Sequence, residues 1–350
     1  MENYHVVISD TPHIRCKRTT KHIMLDVIIA LIPVFVASIV YFGWLSLFNT
    51  VLCVFSCVAT ECVYLLCQKK KIDFIIKQFD FTSIVTGLLL AFTLPPLDYS
   101  LWYIPVISGI FSIAVVKMLF GGTGKNIVNP AIAGRVFSFI AFQKEMNGNY
   151  ITANFSALKI TNVINSGATP LTSLLEGQQT LSNLDLLLGT GLSGCIGETC
   201  KIAIIVGFIY LVARKVIKWQ WPIIYIGVTG LISVFMSNFD FCVFLPSILS
   251  GGLMLGAVFM ATDYVTSPNN KLACYIYYIL LGVVTALLRF GTKIEVVSFA
   301  ILLMNLLVPL FNNYIKPRPF GAKPISLIIK EKIATLKKKK SPDCQEGGKQ

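Results

Sequence analysis

Residues 22–42 read HIMLDVIIALIPVFVASIVYF, an apolar run that contains a single carboxylate, Asp26. About 20 apolar residues suffice for a helix to cross the hydrocarbon core of a bilayer, so this run predicts a transmembrane helix. Similar runs recur through the chain, in which 55% of the 350 residues are hydrophobic and 13% are charged. Soluble domains carry about 25% charged residues, so we predict an all-α polytopic membrane protein.

Hydropathy predicts about ten transmembrane helices along the chain. They fall at residues 22–42, 45–67, 81–96, 102–120, 130–142, 196–213, 220–236, 243–261, 272–290 and 295–315. The third and the fifth are short for a full crossing. We therefore expect broken or half helices there, which a membrane tolerates only when neighbouring helices bury them.

The basic residues orient the predicted helices. With the N-terminus in the cytoplasm, 25 of the 30 Lys and Arg residues fall in cytoplasmic segments, as the positive-inside rule requires. Their short runs lack interleaved aromatics, so the net charge of +13 does not indicate nucleic-acid binding. The predicted order is a cytoplasmic segment at 1–21, a first transmembrane half at 22–142, an extracytoplasmic loop at 143–195, a second half at 196–315 and a basic cytoplasmic tail at 316–350.

Two stretches suggest an internal duplication. Residues 87–96 read GLLLAFTLPP and residues 252–262 read GLMLGAVFMAT, and a Phe-Gly pair follows each at a similar distance. Spans three and eight have opposite orientations, so the duplication predicts two inverted repeats of five helices. Chance similarity between two apolar stretches is the alternative.

One motif in the predicted extracytoplasmic loop presents a hydroxyl group. The loop contains Ser166-Gly167-Ala168-Thr169, followed by Pro170. Gly167 allows a tight turn and the close approach of a bulky group, and Pro170 favours an extended backbone at Thr169. Such a threonine could be esterified by a phosphate. Ser, Gly, Thr and Pro are also ordinary loop residues, so the alternative is a plain solvent-exposed turn.

Motifs spread over nearly the whole chain carry a family resemblance. They are residues 25–33, Leu94-Pro95-Pro96, residues 120–126, Asn129-Pro130-Ala131, Gly134-Arg135, residues 196–199, Ala261-Thr262-Asp263 and Thr266-Ser267-Pro268. The sequence resembles the D subunit of Rnf-type ion-translocating electron-transfer complexes and, more distantly, the B subunit of the sodium-pumping NADH:quinone reductase. Val163 stands where the family's flavin motif usually has an acidic residue, and Tyr264 where a proline usually follows Ala-Thr-Asp.

The resemblance implies a redox role. In that family the threonine of Ser-Gly-Ala-Thr, here Thr169, carries FMN through a phosphoester installed by a flavin transferase. The resemblance further implies the other subunits of the complex as partners, electron flow between ferredoxin and NAD, transport of Na⁺ or H⁺, and a location in the bacterial inner membrane. A second, non-covalent flavin such as riboflavin is expected near the cytoplasmic side. The subunit alone is not expected to turn over a substrate, and no catalytic residue or metal site is assigned.

Acidic residues inside the predicted spans are candidates for an ion path. Asp26, Glu61, Glu198 and Asp263 lie in or at the edges of apolar stretches, where an ionised group needs a partner or a water-filled cavity. Structural ion pairing is the alternative for each. Two rival functions also stay open, namely a cofactor-free secondary transporter or channel and a structural scaffold for other subunits.

Overall fold

The computed structural model describes residues 18–71, 73, 79–148, 182–189, 193–292 and 295–315. All regular secondary structure in these ranges is helical. The helices before the long loop are α1 (Thr20–Phe42), α2 (Trp44–Cys67), α3 (Thr82–Thr93), α4 (Tyr99–Met118), α5 (Pro130–Ala141) and α6 (Gln143–Gly148). The later ones are α7 (Asn183–Leu188), α8 (Lys201–Ala213), α9 (Gln220–Met236), α10 (Phe241–Leu249), α11 (Leu253–Met260), α12 (Lys271–Thr292) and α13 (Val297–Tyr314).

Five of these helices are long and apolar enough to cross a membrane. They are α1, α2, α4, α12 and α13, and the bent pair of α10 and α11 makes a sixth if it counts as one span. The remaining apolar helices α3, α5, α8 and α9 are shorter. The polytopic class is thus confirmed, whereas the count of ten crossings stays a prediction.

The faces of α1 and α2 that point away from the protein are apolar. Ile32, Val36, Val51, Phe55 and Val63 are each about half exposed or more. Exposing so large an apolar surface to water is unfavourable, whereas contact with lipid is not. This surface is therefore expected to contact lipid.

Helix α3 is short because two prolines follow its last turn. It stops at Thr93, and Pro95 and Pro96 cannot continue it, because a proline ring fixes φ and lacks the N–H donor. The carbonyls of Phe92 and Leu94 are instead satisfied by the N–H groups of Gly197 (2.8 Å) and Ile196 (3.0 Å). The predicted short third helix is confirmed.

The sixth predicted helix begins later than expected. Residues 193–200 are irregular, and α8 starts at Lys201 rather than at 196. Gly197 allows this arrangement, because a Cβ at this position would overlap the Phe92 side chain. The backbone of this segment pairs with the end of α3 instead of continuing helix α8 toward the N-terminus.

The eighth predicted helix is interrupted as well. Helices α10 and α11 meet at an angle of 67°, with Ser250, Gly251 and Gly252 at the bend. Gly251 has a φ of 65°, a left-handed conformation that glycine adopts without strain. The predicted span at 243–261 is thus an apolar stretch that is divided into two helices.

Contacts follow the same order in the two halves. Helix α2 packs against α3 and α4, and α9 packs against α10 and α12. The first helices of each half, α1 and α8, contact each other, as do the last ones, α5 and α13. This order is what two related halves would produce, while the inverted repeat itself stays a prediction.

Candidate functional site

The predicted flavin site, Ser166 to Thr169, lies outside the described residues. Residues near the C-terminal end of the same predicted loop nevertheless contact the membrane helices. Helix α7, near that end, packs against α10 and α8, and the Tyr41 hydroxyl donates to the Leu188 carbonyl (2.5 Å). Leu186 and Leu249 form a small buried apolar cluster there.

Asp26 pairs with the end of helix α8. Its Oδ1 accepts from Arg214 Nε (3.1 Å) and from the Tyr210 hydroxyl (3.2 Å). Asp26 is buried while the Arg214 side chain is half exposed, so the ion pair reaches from the protein interior to its surface. The contact joins α1 to α8.

Glu61 forms a buried pair with Lys117. The Lys117 Nζ lies 2.9 Å from Glu61 Oε1, and it also donates to Thr82 Oγ1 (2.7 Å) and Ser83 Oγ (3.1 Å). The Ser83 hydroxyl donates to the other Glu61 oxygen. Both charged side chains are over nine-tenths buried, so each needs the other.

Two cavities meet at this pair. The first, of about 820 Å³ including the part open to solvent, is lined by Lys117, Thr123 and mostly apolar side chains. The second, of about 1050 Å³ on the same basis, is more polar and is lined by Glu61, Thr123 and Asp80. The Glu61–Lys117 pair therefore stands in the wall between the two cavities.

Asp263 belongs to the first cavity. Its oxygens accept from the Val265 N–H (3.3 Å) and the Thr266 hydroxyl (3.2 Å). Burial raises the pKa of this carboxyl above its ordinary value, although the two hydrogen bonds act in the opposite direction. Asp263 lies after α11 in the second half, so both halves of the chain contribute to the first cavity.

The first cavity is also lined by Thr123 and Gly124 of the glycine-rich turn and by the start of helix α5. Asn129 caps α5 by accepting from the Ala131 N–H (3.0 Å), and its amide donates to the Met260 carbonyl (3.4 Å). Asn126 and Thr262 add further polar groups to the lining. The result is an apolar chamber with a few polar groups, which is typical of a site for a small organic ligand.

Glu198 lies in a separate buried cluster at the bend between α10 and α11. Arg135 Nη1 is 4.0 Å from Glu198 Oε1 and donates to Cys195 Sγ (3.1 Å). Arg289 pairs with Glu295 (3.2 Å) and donates to the Ser247 carbonyl (2.9 Å). Cys195 is a free thiol, and so is Cys200, so no disulfide joins them.

The four predicted acidic residues thus occupy different places. Asp26, Glu61, Glu198 and Asp263 each have their own partners, and among the described residues no hydrogen bond or ion pair links one of the four to another.

Three charged residues of these clusters were not singled out from the sequence. Lys117 is counted among the cytoplasmic residues by the positive-inside rule, yet it is 2% exposed. Lys201 is 1% exposed, and Glu295 precedes α13. A lone lysine within an apolar stretch is the signal that could have identified the first two.

A match to a known family runs over residues 7–321. The chain belongs to the NQR2, RnfD, RnfE family. Among its relatives, the D subunit of the Na⁺-translocating ferredoxin:NAD⁺ oxidoreductase complex of Acetobacterium woodii is 37% identical over 329 residues, covering 93% of this chain and 98% of the relative. The D subunit of the ion-translocating oxidoreductase complex of Marinobacter nauticus is 31% identical over 339 residues, covering 90% and 95%. That of Stutzerimonas stutzeri is 34% identical over 339 residues, covering 87% and 93%.

The family match confirms the resemblance carried by the sequence motifs. It includes the motif at 166–169, the glycine-rich turn at 121–124 and Asp263 within one matched range.

Proposed function

We propose that this chain is the membrane subunit of an ion-translocating oxidoreductase complex and carries FMN covalently on Thr169. The observation that carries the proposal is a Ser-Gly-Ala-Thr motif in a chain that is 37% identical to a relative named as the D subunit of a Na⁺-translocating ferredoxin:NAD⁺ oxidoreductase complex. The other subunits of such a complex and a flavin transferase are its proposed partners.

The attachment uses ordinary phosphoester chemistry. A transferase would move the FMN unit from a flavin dinucleotide to the Thr169 hydroxyl. The hydroxyl oxygen loses its proton and bonds to the FMN phosphorus, while the phosphoanhydride bond breaks and the nucleoside monophosphate leaves. Once bound, the flavin supplies one- and two-electron redox chemistry. From the sequence, we expect the small side chains at Gly167 and Ala168 to leave room for the ring system, and Pro170 favours an extended backbone at Thr169.

A second, non-covalent flavin is proposed for the first cavity. Its lining combines apolar walls with a few polar groups, as the sites of small organic ligands do. Asn126, Thr262 and Asp263 would offer hydrogen bonds to the ring edge, and Lys117 would place a positive charge beside it. The apolar walls, such as Leu89, would exclude water from the ring faces.

The transported ion is proposed to be Na⁺ or H⁺. Asp26, Glu61, Glu198 and Asp263 are candidates for its path, because each is a carboxylate at the interior of a membrane protein. We also propose that the complex lies in the bacterial inner membrane, with both termini in the cytoplasm and the Thr169 loop on the opposite side. The distribution of Lys and Arg supports this orientation.

The experiment is in-gel flavin fluorescence. The chain is expressed with a flavin transferase, and the denatured band is illuminated for the wild type, Thr169→Ala and Thr172→Ala. The expected result is fluorescence in the wild type and Thr172→Ala, and a dark band for Thr169→Ala. Thr172 is a matched control because it lies in the same loop three residues further on.

A dark wild-type band would refute the covalent flavin. It would favour the two alternative functions, a cofactor-free transporter or channel and a structural scaffold. Reconstitution into vesicles then separates these two, because a transporter or channel moves ions across the membrane without an electron donor whereas a scaffold does not.

A further inference from the structure

A buried ammonium group lies where two interrupted helices meet. Lys201, the first residue of α8, is 1% exposed. Its Nζ donates to the carbonyl oxygens of Glu198 and Gly251, the latter at 2.8 Å. Glu198 belongs to the irregular segment before α8, and Gly251 lies at the bend between α10 and α11. Main-chain carbonyls therefore hold this cation, and in the described part of the chain no carboxylate lies within ion-pair distance of it.

The two nearby carboxylates have other partners. Glu198 pairs with Arg135, and Glu295 pairs with Arg289. Both acids lie against the bend, because a Cβ at Gly252 would overlap the Glu198 carboxylate and one at Gly251 would overlap that of Glu295. The described cluster thus contains three cations and two anions. Lys201 is the cation whose charge is not matched.

Oxygen atoms around Lys201 resemble the ligands of a free cation. Carbonyl groups from unwound helices replace the hydration shell of alkali ions in channels and transporters. A lysine ammonium is a compact monovalent cation on a flexible stem, so it fills such a place without a fixed geometry.

We propose that the Lys201 ammonium occupies a monovalent-cation site formed by the Glu198 and Gly251 carbonyls, and that a free cation competes with it. The proposal rests on the ion-translocating function proposed above. Charge specifies the class of ion. Without the lysine the cluster has two cations and two anions, so a monovalent ion restores the original net charge, whereas a divalent ion exceeds it.

The test measures thermal unfolding of the purified full-length chain in detergent. Wild type, Lys201→Met and the exposed control Lys144→Met are compared in NaCl and in choline chloride of equal ionic strength. In choline chloride Lys201→Met should unfold at a lower temperature than the wild type, and NaCl should raise its midpoint in a saturable manner. The wild type and Lys144→Met should unfold at the same temperature in both salts. An equal deficit of Lys201→Met in both salts would overturn the proposal.

A second variant covers the case in which Lys201→Met does not fold in either salt. Lys201→Gln keeps a hydrogen-bond donor for the two carbonyls but removes the charge. Binding of ²²Na⁺ to this variant should exceed that of the wild type by one ion per chain. Equal binding, or displacement of the ion by Ca²⁺ at a lower concentration than by unlabelled Na⁺, would refute a monovalent site. Flavin fluorescence is read from the same samples, so a fluorescent band with no Na⁺ response refutes this inference alone, and a dark band with an intact response refutes only the flavin.

Discussion

Breaking the Glu61–Lys117 pair should lower the stability of the protein by an amount that follows from the burial of the two side chains. Both side chains are over nine-tenths buried, and their charged atoms are 2.9 Å apart. Removing one partner leaves the other charge buried and uncompensated, which costs about 3–5 kcal/mol. Glu61→Gln and Lys117→Met should each lose stability of this order. The double variant removes both charges and should recover much of the loss, with a coupling energy of about 2–3 kcal/mol.

The assay is a double-mutant cycle on the free energy of unfolding, measured by denaturant titration in mixed micelles. A matched control is the Asp26–Arg214 pair, in which the arginine side chain is half exposed. Its coupling energy should stay below about 1 kcal/mol, because solvent screens an exposed partner. If the double variant Glu61→Gln/Lys117→Met lost the sum of the two single losses, the two groups would not stabilise each other and the buried ion pair would be refuted.

Two further predictions concern packing and protonation. Gly197→Ala should lower the free energy of unfolding by about 1–3 kcal/mol, because its Cβ would overlap the Phe92 side chain in a packed interior. Gly227→Ala in helix α9, where a Cβ would meet open space, should raise it by about 0.5–1 kcal/mol. Equal effects of the two variants in thermal unfolding would contradict the contact between residue 197 and Phe92. Burial raises the pKa of Asp263, so the folded state binds its proton more tightly than the unfolded chain does. As the pH falls toward the ordinary pKa of an aspartate, the wild type should therefore gain stability relative to Asp263→Asn, and a difference that does not change with pH would contradict the raised pKa.

Hydropathy predicts where the helices lie because every crossing of the bilayer needs a long run of apolar residues. The predicted spans at 22–42 and 45–67 match α1 and α2 to within two residues. Proline composition also predicts the short α3, since Pro95 and Pro96 cannot extend a helix. These features depend only on local sequence.

The interruptions at 193–200 and 250–252 could not be predicted in the same way. Both stretches adjoin strongly apolar runs, and glycine alone does not indicate a bend. The break before α8 depends on carbonyl groups at the end of α3, about 100 residues earlier in the chain, and such pairing is invisible to a local window.

In the candidate site, too, the sequence predicts some features and not others. The sequence identifies Glu61 and Glu198 as buried carboxylates in need of partners, but it does not identify Lys117 or Arg135 as those partners. Partner choice depends on which helices pack together, and that arrangement follows from the whole fold. The threonine motif at 166–169 is a sequence prediction that the described residues do not test.

The pairing of Gly197 and Ile196 with the end of α3 joins the two halves through main-chain atoms. Because every residue except proline offers the same N–H and C=O groups, this pairing does not depend on which side chains stand at Ile196 and Leu94, although both are buried in the core. It does not tolerate a shift in register. Insertions and deletions should therefore be selected against in the few residues before α8, even in homologues whose side chains there have diverged.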